Sequence, residues 1–530
     1  MEIVDWASDA VAMVPAYVMV IAGLISFMFI YTAFSKWSSG GKSKRRMAPS
    51  PRALPIIGHM HMLWVNPHQS LYHLSKVYGP VFSLRLGSVP ALVVCNAESA
   101  RQILITHDKV AAGRPPILSI PRTCFGGPDI AFSSPGPYWR LMRQICVTEF
   151  FSNKRLEYFH YIRWEELGSM MRSVLAAAGT PVPVLKTVQI NNNNVISRMI
   201  IGKRMDECQG EGGADNVVSI IVDMISILGG FNPGDYISWL ASTDLLGLLK
   251  KARKVQHRSV VVFQDLINGR RAIRAPGSPP KDFLDLLLDA AEDTKHQELK
   301  LEDRHIRAIL MDMYAAGTDT SASTTEWAMS ELLANPETLQ KAQEELDRVI
   351  GRERVVQESD IPNLPYLKES DIPNLPYPIY EAMRLHRAAP LLAPHYAMED
   401  CEISGFHVAA GTVLYVDAWA IGKDEKVWSE PFRFRPERFQ DSNIDVLGQH
   451  FGLIPFGSGR RICPGWRLGL LNVEIVLASL LHGFDWSVAE KPDMDEKFSI
   501  IMSRKNKLVA TPTPRLPAHV YDQYFRERQA

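Results

Sequence analysis

The sequence predicts a mainly α protein with small β-sheets, built as one large domain behind a hydrophobic N-terminal segment. Three observations predict it. Apolar residues recur with helical spacing in SARQILIT, YWRLMRQICVTEFF, KDFLDLLLDAAED and the long run from Asp303 to Ala334. Strand-like alternation is confined to short stretches, VFSLRL with ALVVC early and TVLYVDAW late. From about Pro55 onward no low-complexity linker divides the chain; CQGEGGADN (208–216) and RAPGSPP (274–280) read as surface loops between helices.

The N-terminus comes first in chain order. Ala10 to Ser35 carries no charge, and Ala16 to Phe34 is long enough to cross a hydrocarbon core, since about 20 residues suffice. Glu2, Asp5 and Asp9 precede this run, and Lys36, Lys42, Lys44, Arg45 and Arg46 follow it. An acidic leader argues against a cleaved signal peptide. The basic collar places the body on the cytosolic side. Residues 1–35 are therefore expected to be a membrane anchor, 36–54 a basic, proline-rich hinge, and 55–530 the functional domain. Proline-punctuated APSPRALPIIGH suits a stiff connector. GKS at 41–43 lacks the earlier glycine of a phosphate-binding loop and carries no such reading.

Composition narrows the function. Fifty-eight basic and 58 acidic residues cancel, which excludes a general nucleic-acid binder. Six cysteines without a C-x-x-C pair exclude a disulfide scaffold and a zinc ribbon. His59, His61, His68 and His73 cluster without a carboxylate or thiolate at ligand spacing, so packing is expected of them rather than metal binding.

The chemistry concentrates near the C-terminus, in FGSGRRICPG from Phe456 to Gly465. Gly457 and Gly459 permit tight turns. Pro464 suits the first position of a following helix, WRLGLLNVEIVLASLL. Cys463, beside two arginines and a helix start, is expected to be biased toward thiolate and to act as a metal ligand or nucleophile. Upstream, AAGTDT (Ala315 to Thr320) lies within a predicted helix of about 32 residues and ~48 Å from Asp303 to Ala334. Ala316, Thr320 and Thr324 share one face. Gly317, costing ~1 kcal/mol against alanine in a helix, is expected beside a ligand. Trp139 and Arg143 lie one turn apart and can face one partner.

The Cys463 string resembles the haem-binding loop of the cytochrome P-450 superfamily, F-x-x-G-x-R-x-C-x-G, at Phe456, Gly459, Arg461, Cys463 and Gly465. AAGTDT resembles its distal [A/G]-G-x-[D/E]-T motif. Glu381-x-x-Arg384 and PERF with Arg438 resemble its buried Glu–Arg–Arg network. The likeness covers roughly Pro49 to Tyr521, and strings such as KVYGPVFSLRLGS and TEWAMSELLANP are similar to plant microsomal enzymes, including flavonoid 3'-hydroxylases. The resemblance implies haem b ligated by Cys463, with thiolate ligation favouring O–O cleavage. It implies Trp139, Arg143, His395 and Arg461 at the haem propionates, Ala316 and Phe456 against the macrocycle, and Asp319 and Thr320 delivering protons to bound O2. It also implies a hydrophobic small molecule as substrate, a phenolic, flavonoid or terpenoid secondary metabolite, met by Ile117–Phe132, the helix face before Ala316, Ala389–Pro394 and the neighbourhood of Ile501. With no dinucleotide fingerprint of its own, the chain is expected to draw electrons from NADPH-cytochrome P-450 reductase at the endoplasmic reticulum membrane. Arg140, Lys154 and Arg155 are candidates for that docking surface. Intact Asp319 and Thr320 favour a monooxygenase over a haem-thiolate isomerase or dehydratase, which needs no proton relay.

One departure stands out. ESDIPNLPY occurs at 358–366 and again at 369–377, so Tyr377 reaches Glu381 through only three residues where relatives have about six. Arg387 sits where relatives usually carry proline. The repeat is expected to erode the first turn of the Glu381 helix and to threaten the Glu381–Arg384–Arg438 network, which would leave a haem-poor remnant.

Overall fold

The computed structural model describes residues 45–123, 129–207, 214–275, 278–292, 301–364, 377–440, 442 and 444–524. The expected anchor, residues 1–35, and most of the second repeat copy lie outside them. Among the described residues, no helix is long and apolar enough to cross a membrane.

Among the described residues helices dominate, and four small sheets flank them. The early strand signals form a hairpin, Val81–Leu86 paired antiparallel with Val89–Val94. The late signal, Val413–Val416, lies parallel to Val89–Val94, and His395–Tyr396 completes the edge. This sheet is buried on both faces. Leu92 and Val94 enter one apolar cluster while Ala91 and Val93 enter another, as the two-residue period of a strand requires. His395 owes its position to this edge strand.

The basic, proline-rich segment is docked from Arg46 onward. Arg46 O accepts from His407 N, Pro49 O accepts from Ser83 N, and Ala48 is buried. His59 and His68 are likewise structural. His59 accepts from Arg85 N at 2.8 Å, and His68 Nε2 lies 2.8 Å from Glu496 Oε2 with its ring stacked on Phe498.

The largest core joins helices Asp319–Ala334, Tyr377–Leu385 and Trp466–Gly483. A second lies under Asp303–Gly317, Val184–Ile201 and Leu248–Ile273. The expected single helix from Asp303 to Ala334 is thus two helices meeting at a bend at Thr318, whose φ of −97° and ψ of −65° stay in the right-handed helical region but depart from ideal helix values. The cause is local. Thr318 Oγ1 and Thr320 Oγ1 both donate back four residues, to Tyr314 O and Ala316 O, which bends helices. Asn192 donates to the released Thr318 carbonyl at 3.3 Å.

The duplication does not dismantle the Glu381 network. The helix needs only Tyr377–Leu385, and Pro378 falls in its first turn, where its missing N–H leaves no bond unmade. Glu381 receives Arg384 Nε and Nη2 at 2.7 and 2.8 Å, Arg438 Nε at 2.9 Å and Arg435 N at 3.0 Å.

Candidate functional site

The Cys463 loop is shaped by its glycines. Gly459 has φ +66°, and a Cβ there would lie 1.9 Å from Leu104 O, so only glycine fits against that backbone. Cys463 N donates to Phe456 O at 2.9 Å and closes the loop. The following helix starts at Trp466 with Gly465 as its N-cap, so Pro464 precedes the cap instead of opening the helix. Gly465 also admits the Phe151 ring, 3.2 Å from where its Cβ would stand.

Burial pushes the Cys463 thiol above its ordinary value, against the pull of the Gly465 N–H and the Arg143 guanidinium. The expected bias toward thiolate is therefore reversed in the protein alone. Arg460 turns away to Asp108 at 3.2 Å, and Arg461 is bound up in loop carbonyls. A metal cation at the sulfur would displace the proton and restore the thiolate.

Beside this loop the structure collects five polar groups. Arg461 lies 4.3 Å over the Trp139 ring, and Arg143 lies 5.6 Å from the same ring. Arg143 donates to Ile462 O, next to Cys463. His395 Nδ1 lies 2.8 Å from Ala111 O and so carries the proton there. Arg114, which the sequence reading missed, donates to Ala131, Ala393 and Pro394 carbonyls. Its only local signal was Gly-Arg-Pro-Pro in a loop.

Among the described residues the hydrogen bonds of Arg114, Arg143 and Arg461 go to main-chain carbonyls, and Asp129 is an acid that partly offsets Arg114 and Arg461. Burial and mutual repulsion hold Arg461 down to about 9 and Arg114 to about 10. Burial, with Arg114 nearby, holds His395 down to about 3. Such an excess of buried positive charge suits a ligand bearing two carboxylates, so the donor set fits a haem with its propionates.

The bend at Thr318 is tied to the helix after Cys463, because Ser321 Oγ donates to Gly469 O at 3.3 Å. Ala316 and Thr320 keep accessible surface there. Burial raises the Asp319 carboxyl, which accepts from Gln189 Nε2 at 2.8 Å, and Lys507 pulls it the other way. Gly317 has a different reason from the expected one. Its missing Cβ would stand 2.6 Å from Ile196 Cδ1, so glycine lets two helices approach closely.

The segments expected to meet substrate are tied together. Met502 N, next to Ile501, donates to Ala388 O, and Met502 O accepts from Ser323 on the distal helix. Leu118 N donates to Asp235 at 2.8 Å, fixing the start of the Ile117–Phe132 loop. Phe456 is half-buried beside Gly469. Of the proposed docking residues, Arg140 and Lys154 are exposed and Arg155 lies over Tyr158.

Comparison with known proteins agrees with this geometry. The sequence model of the family described as Cytochrome P450 matches residues 48–511. The 3,9-dihydroxypterocarpan 6A-monooxygenase of Glycine max is 37% identical over 519 residues, covering 94% of this chain and 99% of that protein. The flavonoid 3'-monooxygenase of Arabidopsis thaliana is 37% identical over 508 residues, covering 94% and 97%. A solved zebra fish cytochrome P450 with progesterone superposes with a TM-score of 0.73 at 26% identity, covering 85% of this chain and all of that one.

Proposed function

The chain belongs to the cytochrome P450 family and is an oxidoreductase of the monooxygenase type with the family's haem-thiolate cofactor, and we propose that it hydroxylates a hydrophobic plant secondary metabolite of the phenolic or flavonoid kind. One observation carries the reading: Arg114, Arg143, Arg461, Trp139 and His395 gather beside the Cys463 loop, and Ser321, next to Thr320, donates to Gly469 O in the helix that follows Cys463.

Haem held there supplies O2 activation and transfer of one oxygen atom to a C–H bond. Cys463 Sγ would hold its iron as a thiolate. The Arg114, Arg143 and Arg461 guanidiniums would hold its carboxylates, with the Trp139 ring backing Arg461 and His395 fixing the neighbouring strand through Ala111 O. Ala316, small and accessible, would leave room for the macrocycle. Thr320 Oγ1, bonded to Ala316 O at 2.8 Å, holds a hydroxyl at the helix break. Asp319, whose carboxyl burial raises, holds a proton more readily than an exposed aspartate and, with water, would feed it toward the site. Gln189 keeps the Asp319 carboxyl oriented. Apolar residues of Ile117–Phe132, Ala389–Pro394 and the Ile501 region exclude water and hold the substrate.

Residues 1–35 serve as an anchor in the endoplasmic reticulum membrane, with the domain in the cytosol. The electron donor is an NADPH-dependent flavoprotein reductase docking near Arg140, Lys154 and Arg155. The test is reconstitution of the full chain in microsomes with reductase, NADPH and a panel of flavonoids and pterocarpans. Substrate-dependent NADPH and O2 consumption with a hydroxylated product supports the reading. Turnover on organic hydroperoxide alone, with none on NADPH, replaces it with an isomerase or dehydratase.

A further inference from the structure

Asp312 lies on the distal helix one turn before Ala316, and nothing in the chemistry above uses it. Its Oδ2 accepts from Ile130 N at 2.7 Å, and Ala131 N also donates to its carboxylate. It thereby grips the turn 129–133 at the end of the Ile117–Phe132 loop. The same turn is gripped from within, because Asp129 Oδ1 accepts from Phe132 N at 2.9 Å and Ser133 N at 2.7 Å.

The carbonyls of this turn point the other way, into the cluster of cations. Ile130 O accepts both Trp139 Nε1 at 3.0 Å and Arg461 Nη1 at 3.2 Å. Ala131 O accepts Arg114 Nε at 2.9 Å, and Ser133 O accepts Arg461 Nη2. Three of the groups around the cofactor space are therefore oriented by one short turn, whose amides are held by two aspartates.

We propose that Asp312 is a positioning residue for the cofactor cradle, coupling the helix before Ala316 and the substrate loop to the aim of Arg461 and Trp139. In one planar peptide the carbonyl of a residue is locked to the N–H of the next, so Asp312, by holding Ala131 N, sets where Ile130 O points, while Asp129, by holding Phe132 N, sets Ala131 O and with it Arg114. A substrate that displaces this loop also moves the cations that face the cofactor carboxylates. The proposal rests on the cradle assignment above.

The test compares wild type with Asp312→Ala and Asp312→Asn, the latter keeping the shape and one acceptor oxygen. Hydrogen exchange at residues 129–133 reads the anchoring itself. Transfer of haem to apomyoglobin and the haem midpoint potential read its consequence, and a thermal midpoint monitors the fold. In Asp312→Ala, exchange at Ile130 and Ala131 accelerates and haem loss is about tenfold faster, the scale expected for losing buried hydrogen bonds. The midpoint potential shifts, and Asp312→Asn recovers part of each effect. Unchanged exchange at Ile130 and Ala131 overturns the proposal. So does a lowered thermal midpoint with haem loss and potential unaltered, which would make Asp312 a structural tie only. A wild type without a thiolate haem spectrum would instead sink the cradle assignment, while the exchange experiment would still judge the anchoring.

Discussion

Replacing Arg387 by methionine is expected to stabilise the protein. Arg387 follows the Tyr377–Leu385 helix and is only 1% exposed. Its Nη2 donates to Gly452 O at a long 3.3 Å, while Nε and Nη1 have no hydrogen-bond partner among the described residues. Burial and the Arg384 charge hold the guanidinium down to about 9 from 12.5. At 1.4 kcal/mol per pH unit that corresponds to about 5 kcal/mol against the charged form. Asp417 is a weak counter-charge, because burial pushes it up to about 8 and leaves it largely protonated at pH 7. Substituting buried charges by apolar groups of similar volume commonly gains about 1–4 kcal/mol, less than the full penalty because the new side chain must also pack. Unfolding entropy of ~2.1 cal/mol/K per residue, over about 475 residues, makes each kcal/mol worth about 1 °C. Arg387→Met in the detergent-solubilised protein is therefore expected to raise the thermal midpoint by about 1–4 °C at fixed scan rate, with haem content unchanged. Arg387→Lys keeps a buried cation and gains nothing. A midpoint lowered by the methionine, or raised equally by the lysine, refutes the reasoning.

Thr320→Ala removes the hydroxyl at the helix break and is expected to divert reducing equivalents to hydrogen peroxide; product formed one-to-one with NADPH consumed would remove Thr320 from the proton path. Gly459→Ala places a Cβ against Leu104 O at 1.9 Å, whereas Gly457→Ala, at φ +71°, meets nothing within 4 Å. Both carry the left-handed cost of about 1–2 kcal/mol, but only Gly459→Ala is expected to lose haem, measured as haem per protein; equal losses would deny the Leu104 contact its importance. Glu474, buried beside Glu358, is pushed up to about 8 from 4.5. The folded state thus favours its neutral form, a stabilisation complete below about pH 4.5 and lost as pH rises through 8, at about 1.4 kcal/mol per pH unit. Glu474→Gln is expected to flatten the thermal midpoint against pH across that window; parallel wild-type and variant profiles would contradict it.

What could be read from the sequence was whatever is local. The Cys463 loop and AAGTDT carry their chemistry in ten residues or fewer, and Trp139 and Arg143 meet because they sit one helical turn apart. Arg114 and Asp312 were invisible because their roles come from contacts across the fold, with Pro394 and Ile130 respectively. Gly317 was read as making room for a ligand, yet the crowding comes from Ile196 on a neighbouring helix. The Asp303–Ala334 run was read as continuous because its apolar spacing is continuous; side-chain-to-backbone bonds from Thr318 and Thr320 break it. Proximity to arginine suggested a thiolate at Cys463, but burial is the larger effect until a cation binds. The repeat looked destructive by residue count. Glu381 keeps its arginines because a nine-residue helix is enough to present them.

The central claim is that Cys463 ligates haem within this cation-lined site. Its most direct test is the carbon monoxide difference spectrum of the reduced full-length protein in microsomes, wild type beside Cys463→Ala. The account predicts a thiolate-type Soret band in the wild type and none in the variant. A band that survives in Cys463→Ala, or is missing from wild-type protein present at normal levels, would contradict it.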